Sequence, residues 1–252
     1  MSIATSSSSS SLDLFSTWAI EHENKDLQDF ASLSTLNRYL VAFDGNLERA
    51  KAGLEATIEW RSTSIIPTFV CIPCSRNKGA HCFISLGEDK EGNALIYGCP
   101  ARAGETNVEE TMAHCIHTLE KQWPNNGAKK WVWIVDFKGF GLVHSLNARL
   151  GISFATVFKQ HFPERLRAIA LINPPFVFKA LIAAISTFAD VKTLNKLFQI
   201  NATTSEEIVN KLHETFGLET ETQQWLNIVF DDNDVTPDKL PPLPRNVLNL
   251  QV

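Results

Sequence analysis

The feature that most constrains the fold is a pair of unbroken apolar runs separated by a helical segment. The runs are "WVWIVD" at Trp131–Asp136 and "RAIALI" at Arg167–Ile172, and their length is typical of strands covered on both faces. Between them, His144–His161 is a predicted helix that carries Phe154 and Phe158 one turn apart. Strand, helix and strand in this order imply parallel pairing through a right-handed crossover. The sequence therefore predicts an α/β fold.

Further elements flank this core. A strand, a polar turn and a second strand are predicted at Cys82–Leu86, "EDKEGN" and Ala94–Tyr97. A helix follows at Val108–Gln122, whereas the prolines within Ile66–Asn77 predict an irregular connection. Towards the C-terminus, one or two helices are expected to end near Phe230.

Further regions are predicted before and after these elements. A serine-rich leader is predicted to be disordered, with structure beginning near Leu12. The apolar spacing across Leu33–Arg61 indicates two helices packed as a hairpin, with Asn46 as the N-cap of the second. The last residues are proline-rich and acidic, which favours an extended tail. The predicted regions are a disordered leader at 1–11, a helical subdomain at 12–65, the main domain at 66–230 and the tail at 231–252.

An unusually apolar helix is predicted directly after the second run, from Phe176 to Phe188. Large apolar side chains contribute about 1.5–3 kcal/mol each when they leave water, so six of them approach the net stability of a whole domain. The protein's own core, a membrane or partner surface, or a bound apolar ligand could cover this face. Its members are Val177, Phe178, Leu181, Ile182, Ile185 and Phe188.

Composition narrows the functional classes. The 252 residues carry a formal net charge of −5, which argues against a nucleic-acid partner because such proteins present a clustered positive surface. No apolar run approaches the roughly 20 residues that span a bilayer, and the N-terminus lacks the basic and apolar regions of a signal peptide. We therefore expect a cytoplasmic protein.

Five cysteines are more consistent with reduced thiols than with a disulfide framework. Cys71 and Cys74 form "CIPC", which could be a redox pair or, with His81 and Cys82, part of a zinc site. No second CxxC follows at zinc-finger spacing, so loop or buried thiols are the favoured interpretation and no metal site is predicted.

Other candidates for chemistry are also weak. His114 and His117 lie one turn apart on a predicted helix without a matching ligand cluster, so packing or surface histidines are favoured. Gly139 and Gly141 follow a strand but lack the remaining positions of a nucleotide-binding loop. Asp136 could be a catalytic carboxylate, although a turn that holds Gly139 is the favoured interpretation. We predict no enzyme activity.

Four segments, in order, resemble the CRAL-TRIO lipid-binding domain family. "LNRYLVAFDGNLERAKAGLEATIEWR" at Leu36–Arg61 resembles the family's N-terminal helical hairpin. "GEDKEGNALIYG" resembles its strand-turn motif, with Ala94 where proline is usual. "VWIVDFKG" resembles its central strand, and "HFPERLRAIALINPPFVFKALI" resembles its P-E-R turn, strand and gating helix. Together these segments span about residues 33–200.

The resemblance implies a carrier whose mixed, largely parallel sheet floors an apolar pocket, with an N-terminal helical subdomain. A mobile helix, which would correspond to Phe176–Phe188, closes the pocket over a lipid. The apolar side chains then expected at the lipid site are Phe154, Phe158, Phe178, Leu181, Ile182 and Ile185.

The resemblance also implies headgroup contacts. In the phosphoinositide-binding branch, a glutamate of the P-E-R turn and a Thr-x-x-Lys after the gate bind the headgroup, and the matching residues are Glu164, Thr193 and Lys196. Two arginines of the family pattern are replaced here by Val41 and Phe43, which favours a less charged lipid.

These expectations describe a lipid-binding and lipid-transfer protein that exchanges its ligand with membranes. It would need no cofactor beyond the bound lipid and would associate with membranes transiently. The alternative is an interaction scaffold, in which the serine leader and "PPLPR" at Pro241–Arg245 offer contact segments to a protein partner.

Overall fold

The computed structural model describes residues 10–77, 79–104, 107–123, 129–145, 148–187, 191–236 and 239–244. For a few of these it describes the backbone alone: Val143, Ser145, Ala148, Leu181, Ala184 and Ile185. The described residues form two compact units, one from residues 10–64 and one from residue 65 onward.

The first unit is helical. Asn46 Oδ1 accepts a hydrogen bond from Arg49 N–H at 3.0 Å and caps α4, so the predicted helical hairpin is confirmed. Ser10 caps α1 in a reciprocal pair with Asp13, so structure begins slightly before the predicted start; residues 1–9 of the leader lie outside the described residues. The helices are α1 (Ser11–Ile20), α2 (Lys25–Phe30), α3 (Leu33–Ala42) and α4 (Leu47–Ser64).

The second unit contains a five-stranded sheet in the order β1-β2-β3-β4-β5. The first pair is antiparallel and the other three are parallel, which confirms the predicted α/β fold with a mixed, largely parallel sheet. The last strand was not predicted. The strands are β1 (Phe83–Glu88), β2 (Ala94–Gly98), β3 (Trp131–Asp136), β4 (Leu166–Ile172) and β5 (Leu197–Ile200).

The helices around this sheet largely follow the apolar periodicity, with two corrections. Ile72–Arg76 is a short helix where an irregular loop was predicted, because Pro73 is compatible with a first helical turn. The predicted apolar helix begins at Phe178 rather than Phe176 and ends at Ser186, before the predicted end at Phe188, which lies outside the described residues. The helices are α5 (Ile72–Arg76), α6 (Val108–Glu120), α7 (Leu142–Ser145), α8 (Ala148–His161), α9 (Phe178–Ser186), α10 (Val191–Leu194), α11 (Ser205–Phe216) and α12 (Thr220–Asp231).

One face of the sheet is closed by α11 and α12. Alternate strand residues such as Val132 and Ile134 are fully buried there against Leu212 and Leu226. The described part of the C-terminal tail adds to this core: Leu240 packs against it, and Trp225 Nε1 donates to the carbonyl of Pro241 at 3.3 Å. The opposite face is the one that carries the candidate site.

Candidate functional site

A row of apolar side chains crosses the opposite face of the sheet. Trp133, Ile169 and Leu197 are direct cross-strand neighbours on β3, β4 and β5, and we call these three residues the apolar row. All three are partly exposed, whereas Ile96, their neighbour on β2, is completely buried. The helices on this face therefore leave apolar sheet surface incompletely covered towards β5.

Helix α8 packs its aromatic side chains onto one end of the row. Phe154 lies 5.1 Å from Trp133 between ring centroids, and Phe158 lies 5.2 Å from Trp131. Phe154 is buried, and it also stacks on Phe158 at 5.3 Å. These two predicted site residues thus belong to an aromatic layer that joins α8 to the sheet and borders the row.

Helix α9 lies over the other end of the same surface. Phe178 contacts Phe137 at 4.4 Å and Phe140 at 6.2 Å between centroids, and it packs with Ile169 and Leu197 in one cluster. One turn further along the helix, Ile182 is partly exposed. The side chains of Leu181 and Ile185, also predicted for the site, lie outside what the structure describes.

The predicted headgroup residues meet beside β4 and β5. Glu164 Oε2 lies 3.5 Å from Lys196 Nζ, and the two side chains are 20% and 22% exposed. Lys196 N–H donates to the carbonyl of Thr193 at 3.0 Å, which places both residues in one turn at the end of α10. Lys196 directly precedes Leu197 of the apolar row, and its carbonyl accepts from Ile169 N–H at 2.9 Å. A polar group therefore borders the apolar surface.

Glu164 occupies a left-handed backbone conformation, with φ of +57°. A non-glycine residue adopts this conformation at an energetic cost, and such residues concentrate where surrounding structure holds them in place. The neighbouring Arg165 is buried and donates to the carbonyl of Lys129 at 2.7 Å, with its guanidinium 4.6 Å from the Trp123 ring centroid. The buried arginine thus fixes the turn from which Glu164 reaches Lys196.

The two positions that depart from the family pattern lie in the helical unit. Val41 is 47% exposed on α3. Phe43 packs against the core of that unit, and the Arg49 guanidinium lies 5.4 Å from its ring centroid. Neither residue supplies a positive charge.

Asp136 is committed to structural hydrogen bonds. Its carboxylate accepts from Tyr97 Oη at 2.8 Å and from Lys138 N–H at 2.9 Å, and it is 2% exposed. Burial raises the pKa of Asp136, while these donors oppose the shift. The turn continues into Gly139, whose φ of +71° suits glycine. The buried carboxylate therefore holds together the turn that follows β3.

None of the helices in the described part of the chain combines the length and the apolar character needed to cross a bilayer. The family model of the CRAL/TRIO domain, which describes the sequences of that family, matches residues 78–241, more than half of the chain. The chain belongs to the CRAL/TRIO family. The matched region contains the whole sheet and all the site residues of the second unit.

Two curated relatives of the CRAL/TRIO chain match with comparable identity. A CRAL-TRIO domain-containing protein of Schizosaccharomyces pombe is 24% identical over 162 residues, which cover 64% of this chain and 16% of that protein. The phosphatidylinositol transfer protein sfh5 of Aspergillus oryzae is 24% identical over 201 residues, covering 70% and 44% respectively. The chain thus spans less than half the length of either relative.

A solved structure shares the CRAL/TRIO fold. The crystal structure of Sfh5 superposes with a TM-score of 0.64 at 15% identity, covering 96% of this chain and 94% of that one. At this identity the likeness establishes the fold.

The apolar row itself was not predicted from the sequence. Strand alternation could have identified Trp133 and Ile169, because both alternate with residues now seen in the opposite core. Leu197 gave no such signal, since its four-residue strand is too short to show periodicity.

Proposed function

We propose that this protein binds a phospholipid on the apolar row and transfers it between membranes. The observation that carries the proposal is the partial exposure of Trp133, Ile169 and Leu197 on the face of the sheet that α8 and α9 pack against. Apolar side chains in such a position stabilise the protein further when a ligand covers them. The Aspergillus oryzae relative is a phosphatidylinositol transfer protein, which is an activity of the same class.

The arrangement matches an amphipathic ligand. Acyl chains would lie along the apolar row towards Phe178, and the headgroup phosphate would lie near Lys196 and Thr193. An ammonium and a hydroxyl both donate hydrogen bonds to phosphate oxygens, and Glu164 would hold the ammonium in place.

A headgroup of low charge suits these residues best. Lys196 is already paired with Glu164, so the pair as a whole adds no net positive charge. Val41 and Phe43 stand where the family pattern has arginines. A lipid with a single phosphate therefore fits better than a polyphosphorylated one.

Helix α9 would act as the gate. Extraction of a two-chain lipid from a bilayer exposes roughly 30 methylenes at about 0.8 kcal/mol each, so the protein must cover nearly all of them. Phe178 and Ile182 would cover the chains in the closed state and would meet the bilayer during exchange. The aromatic layer of α8 would form a fixed wall.

The scaffold alternative is less well supported. The described part of the proline-rich tail is engaged by the protein, since Trp225 donates to Pro241 and Pro244 is buried. Arg245 lies outside the described residues.

The test is lipid transfer between donor and acceptor vesicles by wild type, Ile182→Asp and Ala183→Asp. Ala183 is exposed and adjacent on the same helix, so it is a matched control for charge and helix propensity. We expect Ile182→Asp to lower the transfer rate at least tenfold and Ala183→Asp to change it less than twofold.

Native mass spectrometry followed by lipid extraction provides an independent readout. We expect one phospholipid per chain in protein purified from cells. Recovery of lipid-free protein that also takes up no phospholipid from phosphatidylcholine or phosphatidylinositol vesicles would contradict the proposed function.

A further inference from the structure

Four potential metal ligands converge in the second unit, outside the lipid site. Cys71, Cys74, His81 and His114 each present one ligand atom, and these atoms all lie within 4.8 Å of one another. Cys74 Sγ lies 3.6 Å from His114 Nδ1. In a tetrahedral zinc site, with Zn–S near 2.3 Å and Zn–N near 2.0–2.1 Å, a sulfur and a nitrogen ligand are about 3.6 Å apart. The widest separation would need to close by only ~1 Å.

Local structure explains how distant residues meet. Cys71 is the N-cap of α5 and Cys74 lies in its first turn, so a short helix presents both thiols together. His81 follows in a tight turn, in which Cys82 N–H donates to the carbonyl of Gly79 at 2.9 Å. His114 lies on α6. In the sequence, the two cysteines and His114 are separate and weak candidates for metal binding, whereas the fold brings them together.

Both histidines are oriented by partners outside the cluster. His114 Nε2 lies 3.1 Å from the carbonyl of Phe83, so it carries the hydrogen and leaves the Nδ1 lone pair facing Cys74. His81 Nδ1 lies 3.2 Å from Thr111 Oγ1, so this histidine would ligate through Nε2. A hydrogen bond on the second ring nitrogen is the usual support of a metal-ligating histidine.

The cluster is shielded from water in part: His81 is buried, and Cys71, Cys74 and His114 are partly buried. Burial and the neighbouring His81 lower the pKa of His114 to about 4. Burial and then Cys71 raise the pKa of Cys74 to about 12, while backbone N–H groups of His81 and Ala80 donate to its sulfur. A divalent cation would supply the charge that a partly buried thiolate requires.

We propose that Cys71, Cys74, His81 and His114 bind one Zn²⁺ ion as a structural site. Two thiolates and two imidazoles in a compact cluster are a ligand set that suits zinc. Four protein ligands leave no open coordination position, so the ion would cross-link the fold without performing chemistry.

The segment that this ion would secure is otherwise sparsely packed. Val70 and Ile72 are 68% and 60% exposed, so they contribute little to a core. Its start is held by His117, whose Nε2 accepts from Ile66 N–H at 2.9 Å and whose ring stacks on Phe69 at 3.9 Å. His114 lies one helix turn before His117 on α6. A zinc ion bound to His114 would therefore attach the segment to α6 at a second point.

The test measures metal in the full chain, independently of lipid transfer. Protein purified without chelator is analysed by elemental mass spectrometry, and chelator-treated protein is titrated with Co²⁺ alone. We expect about one zinc per chain, and a Co²⁺ spectrum with the visible bands and the sulfur charge-transfer band of a tetrahedral thiolate site. Cys74→Ser and His114→Gln should each lower zinc content at least fivefold.

Cys99→Ser is the matched control, because Cys99 is a buried thiol outside the cluster. It should retain its zinc. The wild-type measurement stays decisive even if a ligand variant fails to fold. Less than 0.1 zinc per chain together with an octahedral or absent Co²⁺ spectrum, an iron-containing site, or a Cys71–Cys74 disulfide in the purified protein would each overturn the proposal.

Discussion

Glu164 and Lys196 form an ion pair of 3.5 Å at the edge of the apolar row, with both side chains only about one-fifth exposed. The pair joins the turn before β4 to the turn before β5. A headgroup bound beside this ion pair would therefore contact the two turns that lead into β4 and β5.

Removal of the ammonium should weaken phospholipid binding. We expect Lys196→Ala to raise the dissociation constant about tenfold or more, since a charge-assisted hydrogen bond contributes roughly 1.5 kcal/mol or more. Lipid binding is measured by vesicle competition. Lys211→Ala, which breaks the exposed Lys211–Glu207 pair, should leave the affinity unchanged. Equal losses in the two variants would contradict a headgroup role for Lys196.

Gly98 allows Trp133 of the apolar row to lie close to β2. A Cβ atom at position 98 would be 2.8 Å from Trp133 Nε1 and 3.3 Å from the carbonyl oxygen of Cys82. Gly98→Ala should therefore displace the indole, destabilise the fold by about 1–3 kcal/mol and shift the tryptophan emission.

The control is Gly141→Ala, because a Cβ there meets nothing within 4 Å. Its stability should stay within about 0.5 kcal/mol of wild type. Urea unfolding followed by circular dichroism and fluorescence checks both variants. A neutral effect of Gly98→Ala would show that the strand and the indole relax without cost.

Arg102 secures the end of α12 from the interior. Its side chain is completely buried and donates to the carbonyls of Asp234 at 2.6 Å and of Val229 and Asp232 at 3.3 Å. Arg102→Leu would leave these acceptors unpaired, so we expect a loss of about 3 kcal/mol or more in the free energy of unfolding. Arg149→Leu removes an exposed arginine paired with Glu109 and should cost less than about 1 kcal/mol. Similar unfolding midpoints would contradict the structural role of Arg102.

His161 should make the fold sensitive to acid. Burial lowers its pKa to about 4, so the folded state favours the neutral ring. The stabilisation is complete above the unfolded pKa near 6.5 and is lost as the pH falls towards 4. Because the ring is only partly buried and solvent screens its charge, the loss is on the order of 1–2 kcal/mol. Unfolding in urea between pH 7 and pH 4.5 measures this slope. His161→Gln should flatten it in part, and an unchanged slope would assign the acid sensitivity to other groups.

The strands of the sheet centre could be predicted because apolar side chains occupy both of their faces. The apolar composition of "WVWIVD" therefore indicates a strand covered on both faces, and the observed strand Trp131–Asp136 has the predicted bounds. The capped hairpin around Asn46 is equally local, because the cap bonds to an N–H three residues away. Neither feature depends on distant parts of the chain.

The candidate site, in contrast, depends on contacts between parts of the chain that are distant in sequence. The partial exposure of Ile169 and Leu197 follows from how far α8 and α9 cover the sheet, and β5 exists because its backbone pairs with β4. Pairing of Glu164 with Lys196 likewise needs two turns brought side by side.

By itself, the amino-acid sequence determined the α/β class, the order of the central elements and the family, because periodicity and local motifs record burial along the chain. Only the tertiary structure decided which face stays uncovered, and that Cys74 meets His114. Contacts between residues far apart in sequence leave no periodic signal, since each partner satisfies its own local pattern whether or not the other is near.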